Sequence, residues 1–287
     1  MIGELARTPR FQGAGCPQVN PVRVDNALEA LELLFEPGYL LSGKPDATLL
    51  DAAVAAAAAA EVVVVFLGLP EGEESEGLDR RHLDLPAVQL DLLKAIAEAN
   101  QNVVVVLANG GVVEVASWQH HAKAVLEGWL AGQAGGGALA DLLFGRANPC
   151  GRLAETVPLR LQDTPAYLDY PGSNYGERLY VGYRYYDAKD MPVAYPFGHG
   201  LSYTTFAYSD LRTEVDGDTV RVRLTLTNTG PVTGHRAPHR ADLPGDRRHR
   251  RGEELRPAVL HRGRVHRGRW PGRPAARQVR SLIKEYA

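Results

Sequence analysis

A run of apolar, mostly β-branched residues occupies positions 62–67 and stops at Gly68 and Pro70. A run of this composition and length is typical of a buried strand in a parallel sheet. An acidic loop follows the run and ends at Pro86, where a helix is predicted to begin. Ligands of open α/β sheets bind beyond the carboxyl ends of the strands, so we expect a functional site at this loop.

Predicted strands and helices alternate around this run. Two further apolar runs predict strands, and alanine-rich or amphipathic segments predict helices. Alternation at these lengths predicts an α/β sandwich in which a mostly parallel sheet is flanked by helices. The predicted strands are residues 62–67, 103–108 and 124–130, and the predicted helices are residues 27–34, 46–60, 86–99, 112–118 and 138–144.

The net charge of −2 hides an uneven distribution. Residues 235–287 hold 14 arginines and one lysine against five acidic side chains, a net charge of +10, and have few β-branched residues and no periodicity. Such a segment cannot bury enough apolar surface to order itself. It is either a basic arm for nucleic acid or the translation of a shifted reading frame. We favour the second hypothesis and expect no nucleic-acid partner.

Cysteine spacing and apolar runs exclude several classes of protein. Cys16 and Cys150 form neither a disulfide framework nor a metal-ligand pattern, and the glycine stretches at 109–111 and 132–137 match no phosphate-binding motif. No apolar run approaches the ~20 residues of a membrane span, and the first ten residues lack the apolar core of a signal peptide. We expect a cytoplasmic protein with no metal, cofactor or membrane contact. A signal sequence upstream of Met1 would be compatible with this sequence.

The acidic loop concentrates titratable side chains, with four glutamates within six residues. Repulsion and burial raise the pKa of a carboxyl, so a member of this group that becomes buried would suit a general acid. A solvated acidic loop is the alternative on composition alone. The loop side chains are Glu71, Glu73, Glu74 and Glu76, followed by Asp79 and Arg80.

Several motifs occur in a fixed order along residues 1–234. They are Arg10-Phe11-Gln12-Gly13, Ser75-Glu76-Gly77-Leu78-Asp79-Arg80, Tyr180-Val181-Gly182-Tyr183-Arg184 and Pro196-Phe197-Gly198-His199-Gly200. Together they resemble glycoside hydrolase family 3, the β-glucosidase family, and the second motif is similar to the acid/base loop of that family.

The resemblance implies a domain organisation. It implies the family's C-terminal α/β domain over residues 1–207 and the start of a fibronectin III-like β-sandwich over residues 208–234. Residues 220–230 alternate with a period of two, as a half-buried antiparallel strand does. The sandwich is incomplete because the family's pattern stops after Gly234, and residues 235–287 are a basic tail, disordered or out of frame.

The resemblance also implies hydrolysis of O-glycosidic bonds with retention of configuration, by two carboxyl groups about 5–5.5 Å apart. Glu76 matches the general acid/base, and Glu73 and Glu74 are its local competitors. The family's nucleophile is an aspartate, usually in a Ser-Asp-Trp motif, on an amino-terminal TIM barrel. The only Ser-Asp pair of this chain, Ser209-Asp210, is followed by Leu211. We therefore expect a chain that is inactive alone and acts on a β-glucoside, in carbohydrate catabolism, with a barrel supplied in cis or trans.

Three more residues are site candidates. Asp79 and Arg80 are predicted to pair and so to shape the loop. Cys16 is a candidate for substrate binding, although the family usually has serines at this point near the sugar. The alternative to an enzyme is a non-catalytic module that binds carbohydrate or a protein partner.

Overall fold

A parallel sheet forms the core of the α/β part. The structure is a computed structural model that describes residues 1–172, 174–216 and 219–234, and within those residues three strands of this sheet pair in the order β1-β2-β3. The side chains of β1 are buried along the whole strand, as expected for a strand covered on both faces. The predicted α/β fold with a parallel sheet is confirmed. The strands are β1 (Val63–Gly68), β2 (Val103–Ala108) and β3 (Ala124–Glu127).

Helices flank the sheet in pairs, with α1 against α4 and α2 against α3. They are α1 (Ala27–Leu31), α2 (Ala47–Ala59), α3 (Ala87–Ala99) and α4 (Gly135–Leu143), and α5 (Tyr183–Lys189) follows later in the chain. Asp46 caps α2 by accepting hydrogen bonds from the backbone N–H groups of Thr48 and Leu49. Helix α1 ends earlier than predicted because Glu32 takes the left-handed conformation, with φ 48°.

Two further predicted elements differ from the structure. The helix predicted over residues 112–118 is an extended stretch and a turn, followed by the 3-10 helix Gln119–His121. Val113 and Val115 are both buried, and the intervening Glu114 donates its N–H to the Leu83 carbonyl at 2.8 Å, a pattern of extended backbone. Strand β3 ends at Glu127 because Trp129 takes a left-handed φ of 49°, which a strand cannot contain.

A buried glutamine fixes the point where the chain leaves β1. Gln89 on α3 is 4% exposed; its Oε1 accepts from the Gly68 N–H and its Nε2 donates to the Gly68 carbonyl, both at 2.9 Å. Gly68 also approaches β2 so closely that an added Cβ would lie 2.0 Å from the Ala108 carbonyl oxygen. The start of the acidic loop is therefore held by both α3 and β2.

A second compact unit contains, among the described residues, Ala147–Ala154 and the chain from Gly198 to Gly234. Its strands β4 (Phe206–Asp216) and β5 (Thr219–Asn228) pair antiparallel, with an irregularity between Ser209 and Arg212. The strand predicted from residue 220 is confirmed as β5. The fibronectin III-like nature of this hairpin and the domain divisions at residues 207 and 234 stay predictions. The tail predicted over residues 235–287 lies outside the described residues.

Potential metal ligands do not form a binding cluster in the part of the chain that the structure describes. No group of three or more His, Cys, Asp or Glu side chains there could hold a metal ion. Cys16 and Cys150 are free, exposed thiols. No described helix is both long and apolar enough to cross a membrane.

Candidate active site at the carboxyl end of the sheet

The acidic loop lies at the carboxyl end of β1, where the sequence predicts a functional site. It starts with the 3-10 helix Glu71–Glu73 and continues to α3. A segment near the amino terminus runs beside it, because Ala14 and Ser75 form a parallel bridge and Glu76 donates its N–H to the Ala14 carbonyl at 3.2 Å. Two segments that are distant in sequence therefore form one wall of the site.

Glu76 is exposed and accepts a hydrogen bond at Oε2 from the Cys16 N–H at 2.7 Å. Hydrogen bonds from the Cys16 side chain and then from the Cys16 backbone lower the pKa of Glu76, against a smaller opposing effect of burial. The sequence predicts a raised pKa, as a general acid needs, only for a carboxyl that becomes buried. Glu76 is exposed in this chain, so that condition is not met. Glu76 is therefore in its ionised form at neutral pH.

The contact between Cys16 and Glu76 depends on Gly15. Gly15 has a left-handed φ of 96°, and a Cβ added to it would lie 2.7 Å from the Cβ of Glu76. Glycine tolerates this backbone conformation and leaves room for the glutamate. Cys16, the predicted substrate-binding residue, thus lies beside Glu76, with its backbone N–H committed to the Glu76 carboxylate.

Glu74 is held inside the structure. Its Oε2 accepts from Nη1 of Arg10 at 2.5 Å and from the Gly110 N–H at 2.6 Å, and its Oε1 accepts from the Gly111 N–H. The side chains of Arg10 and Glu74 are 7% and 16% exposed. Both carboxylate oxygens are occupied, so the geometry makes Glu74 an anchor of the loop. Glu73, the other local competitor of Glu76, is exposed.

Asp79 and Arg80 contact different segments, and the predicted pairing between them is wrong. Asp79 accepts a hydrogen bond from the Tyr170 hydroxyl, and Nη1 of Arg80 donates to the Val112 carbonyl at 2.7 Å. Each side chain ties the loop to another segment, and their role in shaping the loop stays a prediction.

These side chains line an open pocket of about 640 Å³. Its volume lies in the range of ligand sites, roughly 300–1,000 Å³. Its wall combines carboxylates and guanidinium groups with apolar surface, so it could contact both polar groups and apolar faces of a ligand. The lining includes Arg10, Cys16, Glu74, Glu76, Leu78 and Arg80.

Two polar residues behind the pocket have only a faint sequence signal. Asn109 is fully buried and donates from Nδ2 to the Gly111 carbonyl at 2.9 Å and to Oε2 of Glu127 at 3.4 Å. The Trp129 N–H donates to Oε1 of Glu127 at 2.9 Å. Burial raises the pKa of Glu127 to about 7. The signal for Glu127 is a lone carboxyl directly after an apolar run, at the carboxyl end of β3.

Comparison with known proteins identifies relatives along most of the chain. The sequence model of the glycosyl hydrolase family 3 C-terminal domain matches residues 1–203. The chain is 47% identical over 243 residues to the exo-alpha-(1->6)-L-arabinopyranosidase of Bifidobacterium longum, covering 81% of this chain and 32% of that protein. It is 44% identical over 251 residues to thermostable beta-glucosidase B of Acetivibrio thermocellus, covering 82% of this chain and 33% of that protein.

Solved structures agree with these relatives. The crystal structure of a family 3 beta-glucosidase from Bifidobacterium adolescentis superimposes with a TM-score of 0.76 at 49% identity, covering 80% of this chain and 35% of the other. Beta-glucosidase 3B from Thermotoga neapolitana in complex with alpha-D-glucose gives a TM-score of 0.71 at 30% identity, covering 80% of this chain and 37% of the other. The chain spans about a third of the length of the relatives it matches.

Proposed function

The chain belongs to glycosyl hydrolase family 3, with residues 1–203 matching its C-terminal domain, and from this premise we propose that it supplies the general acid/base of a retaining β-glycosidase. The observation that carries the proposal is Glu76, which lies on the loop after β1 and borders the 640 Å³ pocket. The carboxyl ends of parallel strands are where α/β sheets bind ligands. Asn109, which follows β2, and Glu127, at the end of β3, are hydrogen-bonded to each other at the same edge of the sheet.

The proposed reaction has two steps, each of which moves one proton through Glu76. In the first, the protonated carboxyl donates to the glycosidic oxygen while a second carboxylate attacks the anomeric carbon, so the leaving alcohol departs and a glycosyl ester forms. In the second, the Glu76 carboxylate takes a proton from water, the water oxygen attacks the anomeric carbon, and the ester bond breaks. We assign the second carboxylate to a barrel domain, present in cis or in trans.

The ionised state of Glu76 supports a need for that partner. An acid must be protonated before the first step, yet hydrogen bonds from Cys16 lower the pKa of Glu76 in this open pocket. A barrel domain and a bound sugar would remove water and bring a second negative charge near the loop, and both effects raise a carboxyl pKa. We therefore propose that this chain alone does not hydrolyse glycosides and that assembly with the barrel converts Glu76 into a working acid.

The proposed substrate is an O-glycoside, with a β-glucoside first among the candidates. The relatives carry the names beta-glucosidase and exo-alpha-(1->6)-L-arabinopyranosidase, so the sugar differs among proteins of similar identity to this chain. The pocket wall of this chain offers only one side of a sugar site. Selection among sugars is then a property of the assembled enzyme.

A chimeric enzyme tests the role of Glu76. Residues 1–234 would replace the matching region of the Bifidobacterium adolescentis beta-glucosidase, to which this chain is 49% identical. Glu76→Gln should lower kcat/KM by roughly 10²–10⁴-fold for alkyl β-glucosides, the usual worth of acid–base catalysis, and by much less for a nitrophenyl β-glucoside, whose leaving group needs little protonation. The matched control, Glu73→Gln, removes an exposed charge from the same loop and should keep the parent rate. Parent rates for Glu76→Gln on both substrates, or hydrolysis by the unfused chain, would overturn the proposal.

A further inference from the structure

A largely buried ion pair joins three segments of the chain beside the proposed acid/base. Arg10 precedes the segment that contacts Glu76, Glu74 lies two residues before Glu76, and Gly110 and Gly111 follow β2. We propose that the Arg10–Glu74 pair positions Glu76 in the pocket, as a clamp whose loss disorders the loop without unfolding the sheet. This inference rests on the role proposed for Glu76. Arg10 and Glu74 take no direct part in either step of the proposed reaction.

Arg10 binds the loop at two points along its backbone. Nη1 donates to the Leu69 carbonyl at 3.1 Å, at the exit from β1, and Nη2 donates to the Glu74 carbonyl at 2.8 Å. The same guanidinium holds the Glu74 carboxylate at 2.5 Å. A planar guanidinium that donates to several oxygens fixes their relative positions, which a lysine ammonium would not do. The segment from Leu69 to Glu74 is therefore tied at both ends to one side chain.

The Glu74 carboxylate extends the clamp to the next strand of the sheet. It accepts from the N–H groups of Gly110 and Gly111, in the turn that follows β2. A Cβ added to Gly110 would lie 3.1 Å from the Glu74 carboxyl carbon, so the absence of a side chain allows this approach. The buried Asn109 side chain holds the same turn through the Gly111 carbonyl. The loop after β1 is thus anchored to the loop after β2.

The segment that carries Arg10 also reaches Glu76 itself. Four residues after Arg10, the Ala14 carbonyl accepts from the Glu76 N–H, and the Cys16 N–H donates to the Glu76 carboxylate at 2.7 Å. Residues 10–16 therefore contact both Glu74 and Glu76. If the ion pair is lost, the segment that contains Ala14 and Cys16 and the loop that contains Glu76 can move apart.

Replacing both members of the ion pair by apolar residues tests whether the pair positions Glu76 or only stabilises the fold. Removing one member of a buried ion pair leaves an unpaired charge and destabilises the fold, whereas replacing both members by apolar residues of similar volume is often neutral. The double variant Arg10→Met/Glu74→Met keeps the net charge and the bulk of the pair. The N–H groups of Gly110 and Gly111 lie near the surface, where water can take the place of the carboxylate.

Amide hydrogen exchange of the full chain is the first measurement. In Arg10→Met/Glu74→Met, the amides of Glu76 and Cys16 should lose at least tenfold in protection, while those of Val104 and Val106 in β2 keep theirs. Glu73→Gln should change neither group. Unchanged protection of Glu76 and Cys16 in the double variant would overturn the clamp, and so would a uniform loss throughout β2, because the pair would then only stabilise the fold.

The kcat and KM of the chimeric enzyme distinguish a positioning role of the ion pair from a role in stability alone. A misplacement of about 1 Å at a reacting group can cost roughly 10²-fold in rate, so kcat of the double variant should fall by roughly 10–100-fold with KM changed less than about threefold. The charge-conserving variant Arg10→Lys should restore only part of kcat. If Glu76→Gln keeps the parent rate, the proposed role of Glu76 fails, while the exchange result still decides whether the clamp holds the loop. An unchanged kcat in the double variant, with Glu76→Gln impaired, would refute the clamp alone.

Discussion

The backbone N–H of Cys16 lies 2.7 Å from Oε2 of Glu76. This contact joins the amino-terminal segment of the chain to the residue that we propose as the acid/base, and it favours the carboxylate form of Glu76. The isolated chain therefore holds Glu76 in the state that the second step of the proposed reaction requires, in which water is deprotonated.

Two substitutions at Cys16 test this effect on the pKa of Glu76. The largest cause of the lowered pKa is the Cys16 side chain, followed by its backbone N–H. Cys16→Ala should raise the pKa of Glu76 toward its ordinary value, whereas Cys16→Ser keeps a side-chain donor and should hold the pKa low. Carbon-13 NMR titration of the Glu76 carboxyl measures both. Equal titration curves for the two variants would show that the thiol has no part in the shift.

Loop geometry at Gly15 yields a second prediction. Gly15→Ala and Gly43→Ala both place alanine at a positive φ, 96° and 72°, so each should destabilise the chain by about 1–2 kcal/mol. Only Gly15 faces Glu76; nothing lies within 4 Å of a Cβ added to Gly43. In the chimeric enzyme, kcat/KM should fall at least tenfold for Gly15→Ala and stay near the parent value for Gly43→Ala. Similar rates for both variants would contradict a steric role for Gly15.

The sheet and the position of the loop follow from local sequence, whereas the partners within the loop do not. The apolar runs of β1 and β2 determine which strands are buried, and parallel pairing brings their carboxyl ends together. The partner of Glu74 lies 64 positions away at Arg10, a separation at which no periodic pattern relates two residues. The predicted pairing of Asp79 with Arg80 failed for the same reason, since their partners Tyr170 and Val112 lie 91 and 32 positions away in the sequence.

The helix predicted over residues 112–118 is wrong because tertiary contacts, and not local sequence preference, determine the backbone conformation there. Residues 112–118 contain valines at positions 112, 113 and 115, which are compatible with either a short helix or an extended segment. The tertiary hydrogen bond from Glu114 to the Leu83 carbonyl selects the extended form. Similarly, the left-handed conformation of Trp129 is stabilised by a hydrogen bond from its N–H to Glu127, and no rule of composition signals it.

A third prediction concerns the buried side chain of Gln89. Gln89→Leu keeps the bulk of the side chain but removes both hydrogen bonds to the backbone of Gly68. Each buried polar group left unpaired costs about 1–3 kcal/mol, so the free energy of unfolding should fall by about 2–6 kcal/mol in urea denaturation. Gln133→Leu, at an exposed position, should change it by less than about 0.5 kcal/mol. A loss below about 1 kcal/mol for Gln89→Leu would mean that water replaces the amide.

The fourth prediction follows from Glu127, whose pKa burial raises to about 7. A carboxyl that titrates near 4.5 in the unfolded chain and near 7 in the folded chain binds more protons in the folded state between those values. Its contribution to stability is therefore fully present below pH 4.5 and is lost as the pH rises through 7. The full difference corresponds to about 3–4 kcal/mol in the free energy of unfolding.

Glu127→Gln isolates this contribution, because glutamine keeps an oxygen that can accept from the Trp129 N–H but does not titrate. Urea denaturation of the chain at pH 5 and pH 8 should show that wild type loses about 2–3 kcal/mol more than Glu127→Gln over this interval. Asp51→Asn, an exposed change on α2, should follow the wild-type profile. Histidines also titrate in this range, but they contribute equally to all three proteins and cancel in the difference. Parallel profiles for wild type and Glu127→Gln would mean that the carboxyl is already ionised at pH 5, so that its hydrogen bonds from Trp129 and Asn109 outweigh the effect of burial.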